Sequence, residues 1–300
     1  MNIDSLVTKE RAGKYRLIEK IGDGESGCVW SATDTETRDI VALKFYRRND
    51  RDAAGKARYE YEMSRIAQSP HILQAIGFTT IEGTPCIILP YCRQRSADAL
   101  AGYFSECMLW RFICDVASGL AALHEKGYMH LDIKPSNILI NDDRFIISDF
   151  GGCRNTTQAN TETENIEEDK SSYSYSAPEW SKSGERLTSA SDIWSLGASA
   201  FMLLMSTPIF SGQGGKKQSI DTPLPSFRRD RYSEVLSLLV KRCLDYTPEL
   251  RPTAREIIDI ATRRLNEITT QQPQSRTKKA NTMSVTNSSL SDSNQYMKQF

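Results

Sequence analysis

No two of the chain's seven cysteines stand as a CxxC pair. Cys28, Cys86, Cys92, Cys107, Cys114, Cys153 and Cys243 are odd in number and scattered, which argues against a disulfide framework and against a zinc site. They read as reduced thiols, several of them in the core. Net charge is lacking too: 38 basic residues balance 38 acidic ones, so no overall field draws the chain toward nucleic acid or an anionic membrane. The apolar runs IILPYC and FMLLM fall far short of a bilayer span, and the opening MNIDSLVTKERAGKY has no apolar stretch of the kind a secretion signal needs. No internal repeat is visible. These absences lead us to expect a soluble, cytoplasmic protein with no membrane span and no nucleic-acid partner. What remains is an ordinary globular makeup: 300 residues, 39% of them hydrophobic, suffice for one large core or two adjoining lobes.

From Tyr15 the chain reads YRLIEKIGDGESGCVWSATD, two β-prone runs about a glycine-rich turn, followed by a third run, DIVALKFY. Three antiparallel strands are predicted. Gly22, Gly24 and Gly27 form a GxGxxG, which alone also fits a dinucleotide-binding fold or a plain hairpin. Here CVWSAT continues as a strand instead of opening a helix, which argues against the dinucleotide fingerprint. In the third strand, period-two alternation puts Ala42 and Lys44 on one face and Val41, Leu43 and Phe45 on the other. Residues 52–68 read as a helix carrying Tyr59, Met63 and Ile66, and GFTTIEG and TPCIILPYC as a fourth and fifth strand.

Residues 108–126 give the clearest helix, with Leu109, Phe112, Ile113, Val116, Leu120 and Leu123 on one face and Gly127 as terminator. MHLDIKPSNILI then places Asp132, Lys134 and Asn137 in one polar loop between two apolar elements. In RFIISDFGG, Asp149 follows Asp132 by 17 positions (149 − 132). The Asp149 carboxylate and the Asn137 amide oxygen are hard donors of the kind magnesium prefers. Residues 154–174 are polar and acidic and read as a mobile loop, SDIWSLGASAFMLLM as a helix buried on most sides, and the polar stretch from about 269 as a disordered tail.

HLDIKPSN resembles the catalytic loop of eukaryotic-type protein kinases, with Leu131 where that family usually has arginine. DFG at Asp149, YSAPEW and CLDYTPELRPT follow in the family's order, so the resemblance covers roughly residues 15–268. It implies a bilobal α+β fold. An antiparallel N-lobe sheet with one helix would occupy about 15–89, a hinge 90–92 and a mainly α-helical C-lobe about 93–268, flanked by an extension (1–14) and a tail (269–300). The resemblance places ATP under Ile21, Gly22, Asp23, Gly24, Glu25, Ser26, Gly27, Cys28 and Val29, beside Ala42 and Leu139. Leu89 would be the gatekeeper, and the hinge would offer the Pro90 carbonyl and Cys92.

In the family, a helix glutamate pairs with the nucleotide-positioning lysine, here Lys44. Glu60 fits by gap-free spacing and Glu62 is an alternative, so the register stays open. Asp132 would orient and deprotonate the incoming hydroxyl, Lys134 would neutralise the transferring group, and Asn137 and Asp149 would hold Mg2+. Phe150 and Gly151 complete the DFG motif. Ser172 falls where Ser/Thr kinases carry a threonine facing the catalytic aspartate, Asp192 matches a residue bracing the catalytic loop, and Arg251 matches the partner of the APE glutamate, Glu179. Lys134 resembles the Ser/Thr-kinase choice at its position, one that dual-specificity and some tyrosine-directed kinases share.

The implied activity is ATP- and magnesium-dependent phosphorylation of Ser/Thr hydroxyls on protein substrates, the Ser/Thr-rich tail being a further candidate. A binding scaffold without catalysis would be expected to have lost Lys44, Asp132, Asn137 or Asp149, and all four are present. A small-molecule phosphotransferase of related fold would normally lack YSAPEW and the Arg251 string. In many related kinases the arginine at position 131 reads a phosphate on the activation segment. Leucine has no donor for that, and Glu162, Glu164, Glu167, Glu168 and Asp169 already make the segment acidic. Activity independent of loop phosphorylation is therefore expected, with Arg154 as the other candidate phosphate reader.

Overall fold

The computed structural model describes residues 11–24, 27–47, 51–157, 173–181, 185–224 and 232–271. Glu25, Ser26, Ser172, the stretch 158–172 and the tail beyond 271 lie outside these, and so do the expectations attached to them. The N-lobe is a six-stranded antiparallel sheet of β1 (Arg11–Ala12), β2 (Tyr15–Asp23), β3 (Gly27–Asp34), β4 (Ile40–Tyr46), β5 (Gly77–Ile81) and β6 (Thr84–Pro90), in the order β1-β2-β3-β4-β6-β5. The sheet thus begins four residues before Tyr15. Two residues are too few to show alternation, yet Arg11 and Ala12 pair with Arg16 and Tyr15, and Ala12 is fully buried.

The two faces of β4 serve different layers. Val41, Leu43 and Phe45 pack with Tyr15, Ala32, Ile81 and Cys86, while Tyr46 faces Ala53 and Ala57 of helix α1 (Ala53–Met63). Helix α1 stops five residues before the predicted end at 68. At its C-cap, Ser64 donates its hydroxyl to the Tyr61 carbonyl and accepts from the Ala75 N–H, a local alternative to another helical turn.

The C-lobe is built on α2 (Glu106–His124), α3 (Ser189–Met205), α4 (Glu234–Cys243) and α5 (Ala254–Gln271). Among the described residues α2 alone has the length and apolarity of a membrane span. The predicted apolar face accounts for that: Leu109, Phe112, Ile113, Val116, Leu120 and Leu123 all lie in the C-lobe core. Ser105 caps the first turn by accepting from the Met108 N–H at 3.2 Å, and Gly127 adopts φ 76° just beyond the last. Two short hairpin-like pairs follow α2: β7 (Tyr128–Met129) with β10 (Arg154–Asn155), and β8 (Ile138–Asn141) with β9 (Arg144–Ile147). They fix the ends of the catalytic-loop sequence. Gly119 on α2 lets this layer close, because a Cβ there would stand 2.7 Å from Ile147 Cδ1 and 2.8 Å from the His71 carbonyl oxygen.

Candidate active site

Strand β4 and helix α1 bring the first cluster together. Lys44 Nζ lies 2.8 and 2.7 Å from the two Glu60 carboxylate oxygens and 3.0 Å from Asp149 Oδ1. Glu60 is buried, whereas Glu62 faces solvent with Arg58 at 3.6 Å, so the helix register open in the sequence resolves toward Glu60. Burial alone would lower the Lys44 pKa, but the charges of Asp149 and Glu60 outweigh it and the net shift is upward. Burial likewise opposes the Asp149 charge, and Lys44 reverses the sign, leaving that carboxyl below the ordinary range. We expect Glu60→Gln to impair phosphoryl transfer at least about tenfold more than Glu62→Gln, because only Glu60 shares a buried ion pair. Initial rates of the two variants under identical conditions check the ranking.

The roof of the cleft is β2 and β3. Val29 is registered against both Gly22 and Lys44, so Gly22, Val29 and Lys44 stand side by side across β2, β3 and β4. The three glycines are not equivalent. A Cβ on Gly27 would fall 1.8 Å from the Phe45 carbonyl oxygen, so this glycine is required by strand packing. One on Gly24 would meet nothing within 4 Å, and one on Gly22 would make ordinary contact with Val29 at 3.5 Å. Gly27 therefore has a structural reason to be glycine beyond phosphate access. Ile21 is 44% exposed at the rim and Asp23 meets Lys20 and Arg47, while Cys28 is turned into the sheet. Ala42 pairs with Leu89 and Val41 with Pro90 where β6 runs into the hinge. Cys92 is half-buried there, and burial pushes its thiol pKa up. Leu139 on β8 pairs with Ile146 and bridges to Ser96.

The second cluster is the loop between β7 and β8. The Asn137 side-chain amide donates to the Asp132 carbonyl at 2.9 Å and to Asp132 Oδ2 at 2.7 Å, and Lys134 Nζ stands 3.2 Å from Asp132 Oδ1. Both amide hydrogens are thereby directed at Asp132, which leaves the Asn137 amide oxygen as the atom available to a cation. The Ser148 N–H and hydroxyl both donate to the Asn137 backbone carbonyl, at 2.9 and 2.8 Å, tying the loop to the residue before Asp149. Asp149 itself has φ 63°, and its side chain is 41% exposed to the cleft. Phe150 turns the other way, fully buried edge-on against His130, and Gly151 follows within one 3₁₀ turn.

A buried frame fixes this loop from below. Asp192, wholly inaccessible on α3, accepts from the backbone N–H groups of His130 at 2.9 Å and Leu131 at 2.7 Å, and from His124 Nε2 at 2.8 Å. Burial would raise its pKa, but the His124 hydrogen bond and the surrounding donors keep the carboxyl below the usual range. Leu131 holds φ 63°, a conformation costly for a leucine, and the two Asp192 contacts stabilise it. Its side chain packs with Met129, Trp180 and Leu187 in a small apolar cluster. Further out, Arg251 and Glu179 form a bidentate pair at 2.7 and 2.8 Å.

Three supporting residues escaped the sequence reading: Tyr46, His124 and Ser148. Of these, only Tyr46 had left a signal, because alternation from Lys44 carries it to the same face of β4.

Two lobes meeting at a lysine–glutamate–aspartate cluster and an aspartate–asparagine loop define the class, and comparison with known proteins agrees with it. Residues 15–261 match the model of the protein kinase domain, and the chain belongs to that family. Among curated proteins it is 30% identical over 212 residues to cyclin-dependent kinase F-3 of Oryza sativa subsp. japonica, covering 66% of this chain and 46% of that protein. It is 28% identical over 270 residues to serine/threonine-protein kinase 1 of Arabidopsis thaliana, covering 85% of this chain and 31% of the relative. Cytokinesis protein sepH of Aspergillus terreus is 29% identical over 259 residues, 81% of this chain and 18% of its own length. The chain thus spans less than half the length of each of these relatives.

Proposed function

We propose that the domain is a protein serine/threonine kinase, transferring the γ-phosphoryl group of ATP to a Ser or Thr hydroxyl with magnesium as the cation. The observation that carries the reading is the juxtaposition of the buried Lys44–Glu60 pair, with the accessible Asp149 carboxylate 3.0 Å from Lys44, and an Asp132 carboxylate held by Asn137 and Lys134. Lys44, kept cationic by its two carboxylates, suits the nucleotide phosphates. The Asn137 amide oxygen and the accessible Asp149 carboxylate fit a hard cation, which when bound would offset charge on those phosphates. Among the described residues no three His, Cys, Asp or Glu side chains gather as a metal site, so the phosphates and water would complete the shell.

Asp132, 23% exposed at the side chain, would orient the substrate hydroxyl. The hydroxyl oxygen forms a bond to the γ-phosphorus, the bond from that phosphorus to the bridging oxygen breaks, ADP leaves, and the hydroxyl proton passes to Asp132. Lys134, beside the carboxylate, neutralises charge on the group in transit. Incubation with labelled ATP and magnesium, followed by phosphosite mapping on the chain and on mixed protein substrates, tests this. Label confined to Ser and Thr is expected; label on tyrosine or on small molecules alone overturns the proposal.

The apolar surroundings of Leu131 bear on control. In place of a guanidinium aimed at a phosphate, a leucine packs against Leu187 and Trp180, on the C-terminal side of the activation segment. Arg154 is engaged with the Cys153 carbonyl at 2.7 Å and lies 5.9 Å from the Tyr59 ring. Phosphatase-treated protein, shown by mass spectrometry to be bare between residues 156 and 174, is expected to keep its initial rate within about twofold. Inactivity reversed by loop phosphorylation would refute this and make Arg154 the first residue to replace.

A further inference from the structure

The buried ion pair of the site has a third member. Tyr46 lies two residues beyond Lys44 on β4 and therefore on the same face, is 3% exposed, and donates its hydroxyl to Glu60 Oε2. Its ring fills the space left by Ala53 and Ala57, which share the sheet-facing side of α1 with Glu60 (53, 57 and 60 are spaced four and three apart), and Lys44 Nζ stands 5.5 Å from the ring centre. Helix α1 is only 11 residues long, so its placement depends on what it packs against.

We propose that Tyr46 is a positioning residue for nucleotide binding, holding the Glu60 carboxylate with both oxygens on Lys44 and so keeping α1 seated and the lysine aimed at the phosphates. The inference rests on the kinase reading above. Burial and the Glu60 charge push the Tyr46 phenol pKa upward, so the group stays protonated and acts as donor. Once phosphates compete for Lys44, the lysine no longer fixes Glu60 by itself. A carboxylate held only by a shared lysine can then rotate away, whereas one also gripped by a packed phenol cannot.

The test is a double-mutant cycle on the full chain, wild type, Y46F, E60Q and Y46F/E60Q, with ATP, magnesium and a peptide containing a mapped Ser or Thr site. Y46F is expected to raise KM for ATP about tenfold, the lower end of what a hydrogen bond to a charged group contributes, and to leave KM for the peptide unchanged. In the E60Q background the same change is expected to cost less than twofold, since the carboxylate it acts through is already gone. Melting temperatures accompany each variant, and Y46L, which also removes the ring, gives the cost of lost packing. An unchanged KM for ATP in Y46F, or equal losses in both backgrounds, overturns the inference while the kinase reading stands. A wild-type chain that transfers no phosphoryl group overturns both.

Discussion

Replacing Asp132 by alanine is expected to reduce phosphoryl transfer by about 10²–10⁴-fold, the usual contribution of a positioned proton acceptor, while ATP binding survives within a few-fold. The split follows from the geometry. Asp132 has its carboxylate at the mouth of the loop, bonded to Asn137 and Lys134, whereas the groups suited to phosphate cluster at Lys44. Alanine also releases the Asn137 amide from the 2.7 Å bond to Asp132 Oδ2, so some loss of magnesium affinity is expected with it. Asp132→Asn separates the two effects, because its side-chain oxygen can still accept from Asn137 but can no longer take a proton. Rates from single-turnover transfer, set beside nucleotide affinity from a direct binding assay, decide the matter. A D132N enzyme transferring at the wild-type rate would remove Asp132 from the chemistry.

The parts of the site visible in the sequence were those in which chemistry and local structure coincide. Asp132, Lys134 and Asn137 sit within six consecutive residues, so their convergence needs only one loop to form. The β4 alternation was legible for the same reason, since strand geometry itself decides which residues share a face. Contacts closed by packing were not legible. The choice between Glu60 and Glu62 depends on how α1 turns on the sheet, which the two alanines at 53 and 57 settle by allowing a close approach, and no local pattern states that. The bond from His124 to Asp192 joins positions 68 residues apart. Its sequence trace is an ordinary histidine in the last turn of a core helix. Strand β1 was missed because two residues carry no periodicity, and the end of α1 because a serine's bond to a distant backbone N–H outweighed helix propensity in the following residues.

The largest stability effect is expected at Arg251, far from the chemistry. Its guanidinium donates to both Glu179 oxygens and also to the carbonyls of Ala190 at 2.9 Å and Asp245 at 2.8 Å, with the side chain wholly buried. Ser191 adds a 2.7 Å bond to Glu179 Oε1. Arg251→Met would leave a buried carboxylate and several carbonyls without their donor, a loss of about 3–5 kcal/mol, or roughly 10 °C in melting temperature for a domain of this size. The pH dependence gives the sign. Burial opposes the Glu179 charge, but Arg251 reverses the balance, so its folded pKa lies below the ordinary value. A carboxyl depressed in this way contributes stability above its unfolded pKa of about 4.3, and the contribution is lost as pH falls through the folded value. In R251M the same carboxyl is buried without its partner and gains by protonation. The gap in melting temperature between wild type and R251M is therefore expected to be widest near pH 7, to begin narrowing above about pH 4.3 as the unpaired carboxyl of R251M takes up its proton, and to narrow further as pH falls through the depressed folded value of the wild type. Pairing R251M with E179L, which removes both charges, is expected to recover most of the loss, since two apolar side chains of similar volume leave far less buried charge unmatched. A gap that stays constant with pH, or a double variant no more stable than R251M, would mean that Arg251 acts through its carbonyl contacts and not through Glu179.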